Sequence, residues 1–335
     1  MLVLRKPYLL YLGDDVLKSD CNTALGLRDW CGEDVIGEWS HPAAKASLGL
    51  PRLTPGDAAL QGAGSIVVGV APTGGVLPEH WQDDLEAALT AGLDAVSGLH
   101  TRLASLPRLV RAAAQAGTRL VDVRNPAGAY PVGSGRKRTG RRVLTVGTDC
   151  ALGKKYTALA LARALRAKGA AATFRATGQT GIMIAGSGIP MDALVADFLA
   201  GAAEALSPDN DPAHWDVIEG QGSLLHPAYA AVTLGLLHGS QPDAIVLCHA
   251  PERVTIEEYP DYPIPPLSQV IDEYVRAGRL TNRNIRCVGV SINSSTLDDD
   301  GWRSYRAQLE RELQLPVCDP MRGGVEPIVD ALLAR

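Results

Sequence analysis

The sequence predicts an α/β protein of two domains, an N-terminal Rossmann-like domain followed by a C-terminal doubly wound P-loop NTPase-like parallel sheet. Three observations carry this. Short apolar runs alternate with helical ones along most of the chain, the pattern of parallel strands joined by crossover helices. At Arg142 to Leu165, RVLTVGTDCALGKKYTALALARAL, a glycine loop joins one such run to an alanine- and leucine-rich helix. The chain has 335 residues, enough for two separate cores. The expected boundaries are 1–127 for the first domain, 128–141 for a linker and 142–335 for the second.

The opening MLVLRKPYLLYLG holds two charges within a short apolar stretch, so it reads as a first strand rather than a signal peptide. Tyr8 to Leu12 reads as a strand ending at Gly13-Asp14-Asp15, and Ser65 to Val70 as a second, ending at Ala71-Pro72-Thr73-Gly74-Gly75. Pro78 to Ala91 is helical by periodicity, Asp94 to Ser97 strand-like, Leu106 to Ala116 helical, and Arg119 to Val123 closes the unit as a strand. No G-x-G-x-x-G follows the first strand, so NAD binding by that route has no support. Open α/β sheets place ligands at the carboxyl ends of strands. Asp14, Asp15 and Lys18, then Thr73 to Gly75, then Arg124 and Asn125 occupy those positions. Asp and Gly also serve turns there. Lys18 and Arg124 stand out because a carboxylate substrate needs a cation.

Gly128 to Arg142, GAYPVGSGRKRTGRR, is glycine-rich and carries Arg136, Lys137, Arg138, Arg141 and Arg142. It reads as an interdomain linker. Its charges are either simply solvated or lean on a phosphate at the loop that follows.

That loop is the centre of the second domain. Strand, glycine loop and helix in succession form a phosphate-binding P-loop. A helix start offers unpaired N–H groups and the positive end of the helix dipole, so an anion sits there favourably. Gly153 lets the backbone approach closely and Lys154 adds a point charge. Five residues separate Gly147 from Gly153, so Thr148 takes the usual first-glycine position. The position that usually carries a magnesium-binding Ser or Thr is Lys155, followed by Tyr156 and only then Thr157. A second ammonium stands where a metal would otherwise supply charge, which suits a phosphorylated cofactor that is held without hydrolysis. Cofactor-binding candidates are therefore Gly147, Thr148, Asp149, Cys150, Ala151, Leu152, Gly153, Lys154, Lys155, Tyr156 and Thr157; no residue is assigned to a resident metal.

Further strands are expected at Ala171 to Ala176, Trp215 to Ile218, Ala244 to Cys248 and Ile285 to Ile292, with helices between, one of them from Pro190 to Leu206. Asp216 to Gly222, DVIEGQG, delivers the Glu219 carboxylate beside the phosphate loop, for magnesium in a nucleotide enzyme or as a base in a transferase. Gln221 and Ser223 offer hydrogen bonds. Thr177 to Gly188, TGQTGIMIAGSG, reads as a substrate or cofactor loop with Ile182-Met183-Ile184 as a wall, and brings in Gln179 and Thr180; Asp192 reads as a helix-start charge. His226 and His249 lie just beyond strand ends, where a His can take a proton near neutral pH or be structural. Tyr259 to Pro266 reads as a stiff, proline-dense loop suited to a lid, and Asn293 as a residue able to read a nucleobase edge.

Composition narrows the classes. Net charge is −5 and aromatics are 5%, so a nucleic-acid partner is not expected. Six cysteines lie scattered without a C-x-x-C pair, so neither a zinc ribbon nor a disulfide framework is indicated; three fall in apolar runs that read as buried strands. No apolar run approaches the ~18 residues of a membrane span. A cytoplasmic homo-oligomer acting on a small molecule is expected.

Two resemblances can be stated on these residues. Gly147-Thr148-Asp149 through Gly153-Lys154, with Glu219-Gly220, resembles the motifs of dethiobiotin synthetase and its relatives, over the second domain only; Lys155 departs from that family's Thr. GTDCALGKK, RATGQTGIMIAG, IEGQGSLLHPAY and GVSIN, with VAPTGGVLP and LVDVRNP, resemble over nearly the whole chain a two-domain P-loop family long catalogued as of unknown function. That family includes D-glutamate N-acetyltransferase. The resemblance implies acetyl transfer from acetyl-CoA to the amino group of a D-amino acid. Lys154, Lys155 and the loop N–H groups would then hold coenzyme A phosphates. Glu219, His226 or His249 would take the proton, Ser223 would stabilise the oxyanion, and Lys18, Arg124, Gln179, Thr180 and Gln221 would meet the substrate. The competing classes are an ATP- and magnesium-dependent ligase or kinase, with Glu219 and Thr157 on the metal, and a nucleotide-binding regulator without chemistry.

Overall fold

The structure, a computed structural model, describes residues 2–14, 21–41, 44, 46–70, 76–125 and 129–334. It divides into two compact units, one of Met1–Ala127 with Gly178–Ala193, the other of Gly128–Thr177 with Leu194–Arg335.

The first unit is built on five parallel strands: β1 (Tyr8–Tyr11), β2 (Val35–Trp39), β3 (Ser65–Val68), β4 (Asp94–Ser97) and β5 (Leu120–Asp122), in the order β2-β1-β3-β4-β5. All residues of β1, β3 and β4 are buried, as a parallel sheet covered on both faces requires. The opening run divides: Leu2–Val3 pairs antiparallel with Ser187–Gly188, and Tyr8 begins a separate strand. The β2 segment, VIGEW, was not foreseen because a glycine and a glutamate interrupt its apolar run. Glu38 is nonetheless buried, its carboxylate accepting from Ser47 Oγ at 2.6 Å and Leu48 N at 2.7 Å.

The segment expected as an open loop at 177–188 is instead largely helix, Gln179–Ala185, with Ile182, Met183 and Ile184 buried. It groups with the first unit, where Tyr8 donates its hydroxyl to Met183 O at 3.0 Å. Its glycines misled: Gly181 lies within the helix and Gly186 closes it with a left-handed φ of 75°.

In the second unit β6 (Arg141–Gly147), β7 (Ala172–Arg175), β8 (Trp215–Ile218), β9 (Ala244–His249), β10 (Arg286–Ile292) and β11 (Val317–Cys318) form one parallel sheet in the order β11-β10-β9-β6-β8-β7. The P-loop strand β6 is central. From it the chain goes to the edge strand β7, returns to β8 beside β6, and then crosses to β9, β10 and β11 on the other side. Such a reversal opens a crevice at the carboxyl ends of the strands. Tyr259–Pro263, expected as loop, is a strand paired with Thr255–Ile256 in a hairpin. From Pro190 two short 3-10 turns precede the helix, which begins only at Leu199.

Two cations of the basic linker, Arg138 and Arg142, are neither solvated nor turned to a phosphate. Arg138 is buried and donates to the carbonyls of Glu204 and Ser207, at the end of the Leu199–Leu206 helix, and of Gly239 and Ser240, at the end of the Ala230–Ser240 helix. It therefore satisfies carbonyls that two helix ends leave without partners. Arg142 is buried too, donating to Ser207 Oγ at 2.8 Å and to the Thr139 and Pro208 carbonyls. Arg136 and Lys137 are exposed, as expected of solvated charges, and pair with Asp209 and Asp243.

Candidate functional site

The loop from Gly147 to Gly153 leaves β6 and enters the Lys154–Ala167 helix. Gly153 caps that helix with φ 99°, a left-handed conformation that costs glycine little. Lys154 folds back into the loop, is buried, and donates to Asp149 O at 2.7 Å. Its stem passes over the end of β8: a Cβ on Gly220 would stand 1.8 Å from Thr145 O and 3.2 Å from Lys154 Cδ. Glu219-Gly220 therefore brings a carboxylate next to the loop and clears room for the lysine. Burial pushes the Lys154 ammonium below the ordinary lysine value. Burial does the same to Lys155, with the Glu219 charge working against it. Two desolvated ammonium groups at the positive end of a helix dipole form a site that an anion completes.

Asp149 is fully buried, its Oδ1 accepting from Cys150 N at 2.6 Å and its Oδ2 from Arg253 at 2.7 Å and Glu257 N at 2.8 Å. Arg253 was not singled out by any spacing; only the fold brings it to the loop. Thr148 Oγ1 is 2.9 Å from His249 Nδ1, and burial pushes the His249 imidazole down to about 4. Thr157 is turned inward, within 2.7 Å of Ser291 Oγ and donating to Gly153 O at 3.1 Å. Ala151, at φ 53°, Cys150 and Leu152 complete the loop, and burial raises the Cys150 thiol above its usual value, so it stays protonated. Lys155 lies 4.6 Å above the Tyr156 ring.

Around the loop, Glu219 is buried and its Oε2 accepts from Thr177 N at 2.9 Å. Gln221 donates to Thr177 Oγ1 at 3.0 Å. Ser223 is fully buried and hydrogen-bonded to Tyr274, whose hydroxyl donates to Gly147 O at 2.8 Å and which burial pushes up to about 12. Its place in the fold is thus as a support for the loop. His226 is buried, its Nδ1 accepting from Ala228 N at 3.0 Å and Tyr229 N at 3.2 Å. Asp149, Cys150 and His226 offer ligand atoms within 4.8 Å of one another. They do not suit a metal: with Nδ1 accepting, His226 Nε2 keeps its hydrogen, and burial keeps the Cys150 thiol protonated.

A cavity of about 440 Å³ opens beside the helix start, lined by Gly153, Tyr156, Asn293, Asp319, Met321 and Arg322 among others. Asp319 ties its two far loops together, accepting from Ser294 N at 3.1 Å and Met321 N at 2.8 Å. Asn293 Oδ1 accepts from Ser295 N at 3.2 Å, which leaves the amide N–H₂ as its donor. Asp319 and Arg322 escaped the sequence reading because the strand before them is only two residues long.

In the first unit, a cavity of about 210 Å³ at the carboxyl ends of β4 and β5 is lined by His100, Arg102, Arg124, Asn125 and Asp192. Arg124 donates to Gly98 O at 2.7 Å and pairs with Asp192 at 2.6 Å, so Asp192 is more than a helix-start charge. Thr180 Oγ1 is 3.2 Å from Thr23 Oγ1, and Gln179 packs against Gly98. Lys18, with Asp15 and Thr73 to Gly75, lies outside the described residues.

With this geometry in hand, comparison with known proteins is decisive on ancestry. A domain of unknown function described as the DUF1611 C-terminal P-loop domain matches residues 131–329, and the DUF1611 N-terminal Rossmann-like domain matches residues 34–126. The chain belongs to the DUF1611 family. The solved structure of a DUF1611 protein from Anabaena variabilis matches with a TM-score of 0.85 at 34% identity, over 98% of this chain and 100% of that one. Two curated DUF1611-like relatives are named D-glutamate N-acetyltransferase. One, from Tritonibacter scottomollicae, is 45% identical over 99% of this chain and 100% of its own length. The other, from a Pseudoalteromonas species, is 43% identical over 97% of this chain and 98% of its own. Both names denote acyltransferases, and this chain is an enzyme of that class. Among the described residues, no helix is long and apolar enough to cross a membrane.

Proposed function

We propose that this acyltransferase moves an acetyl group from acetyl-CoA to the amino group of a D-amino acid, with D-glutamate the first choice. Support comes from the names of the two relatives and from one observation above all: the cavity beside Gly153 and Tyr156, with the Asn293 amide at its wall. Its size suits the adenosine end of a carrier whose phosphates reach the helix start, where Lys155 replaces a metal-binding hydroxyl. Thr157, the nearest hydroxyl, is committed to Ser291 and Gly153, which disfavours the magnesium-dependent ligase reading.

In this reading Lys154, Lys155 and the loop N–H groups hold phosphate. Of the three candidate bases, His226 accepts hydrogen bonds at Nδ1 and His249 is made a weak base by burial, so the Glu219 carboxylate takes the amine proton. Thiol release from acetyl-CoA, measured across D- and L-amino acids without magnesium, tests the reading. Release with D-glutamate and little with L-glutamate is expected; tight magnesium-dependent ATP binding with no thiol release from any acceptor would sink it.

A further inference from the structure

His226 is 3% exposed, and its protonation pattern is fixed by the main chain. Two amide N–H groups, from Ala228 and Tyr229, point at Nδ1. An N–H can only donate, so Nδ1 must present its lone pair, and a neutral imidazole then carries its hydrogen on Nε2. That hydrogen has no acceptor within hydrogen-bond distance among the described residues: Asp149 Oδ1, 3.9 Å from Nε2, is too far. The rings of Tyr229 and Tyr259, at 4.5 and 5.2 Å between centroids, hold the imidazole in place. The donor therefore faces the P-loop beside Asp149 and Cys150 with no protein acceptor within hydrogen-bond distance, which leaves it available to an oxygen of a bound ligand.

We propose that His226 is a neutral N–H donor to the oxygen on which charge develops during acyl transfer, and not the general base. This rests on the acetyl-transfer reading. The acceptor nitrogen attacks the thioester carbonyl carbon, a C–N bond forms, and the carbonyl π pair moves to oxygen, which takes the hydrogen bond from Nε2. When the oxyanion collapses, the C–S bond breaks, the thiolate leaves, and the proton lost from nitrogen passes to the base. A preorganised donor works here because it favours the charged intermediate over the neutral thioester; a neutral imidazole serves as such an electrophile elsewhere.

The tautomer is read first, without substrate, from the imidazole ¹⁵N shifts of the wild-type protein: a pyrrole-type Nε2 and a pyridine-type Nδ1 are expected, and the reverse overturns the proposal. Kinetics follow. His226→Ala should lower kcat by about 10²–10³-fold with KM for acetyl-CoA nearly unchanged. His226→Gln, which can place an amide N–H in the same region, should recover at least tenfold of that loss. Equal loss in both variants would mark His226 as a base, and a loss of acetyl-CoA affinity at unchanged kcat would mark it as a phosphate ligand; either overturns the proposal. Wild-type protein that releases no thiol from acetyl-CoA with any acceptor, yet shows the expected tautomer, would instead place the failure in the acetyl-transfer reading.

Discussion

The linker and the P-loop are made of the same residues, glycine and cations, and the fold uses them in opposite ways. Arg138 and Arg142 sit at helix carboxyl ends, where the dipole is negative and carbonyls lack partners. Lys154 and Lys155 sit at a helix amino end, where the dipole is positive and burial already works against their charge. The first pair completes the folded protein. The second pair is desolvated, and in the proposed reading a bound phosphate offsets that cost. Which end of a helix a cation meets thus separates a structural cation from a ligand-binding one.

The contrast breaks most visibly at Arg138. Replacing it with Ala strands four carbonyl contacts, and chemical denaturation should show a loss on the order of 3–5 kcal/mol, as for a buried charge network broken at one partner. A loss under about 1 kcal/mol would mean the helix ends find other partners.

Lys154→Ala should do the reverse, leaving the unliganded protein no less stable while weakening the phosphorylated carrier by ~1.5–3 kcal/mol, roughly 10- to 100-fold by calorimetry. Because the Lys154 value is lowered in the folded protein, its charge is lost as pH rises through that lowered value, below the ordinary lysine range. Carrier affinity of the wild type should therefore fall with rising pH in that window, with proton uptake on binding. The pH dependence should flatten in the variant, and a slope of opposite sign would show that Lys154 is not the phosphate ligand.

The smallest effect concerns the far end of the carrier. Asn293→Ala removes one neutral hydrogen bond and should cost about 0.5–1.5 kcal/mol of acetyl-CoA affinity with kcat unchanged. Undiminished affinity would place the adenosine outside the cavity.

Most of the fold was legible because it rests on local rules. Apolar runs such as Ser65 to Val68 and Ala244 to His249 are all buried, and parallel strands covered on both faces can be little else. The P-loop was legible because the strand, loop and helix that make it are contiguous. The errors came where composition outweighed context. The glycines of 177–188 suggested a loop, yet the Gln179–Ala185 helix buries its Ile-Met-Ile face; the prolines of Tyr259–Pro263 suggested a loop, yet an edge strand tolerates them.

By itself the sequence determined two α/β units, a P-loop helix start with Lys155 in place of a hydroxyl, and a carboxylate on the neighbouring strand end. Only tertiary structure decided what each polar group faces. It put Arg253 on Asp149, Asp192 on Arg124 and Asp319 on Ser294. Periodicity and loop chemistry act between residues near in the chain, whereas a side chain's charge, tautomer and hydrogen bonds depend on partners tens to hundreds of positions away.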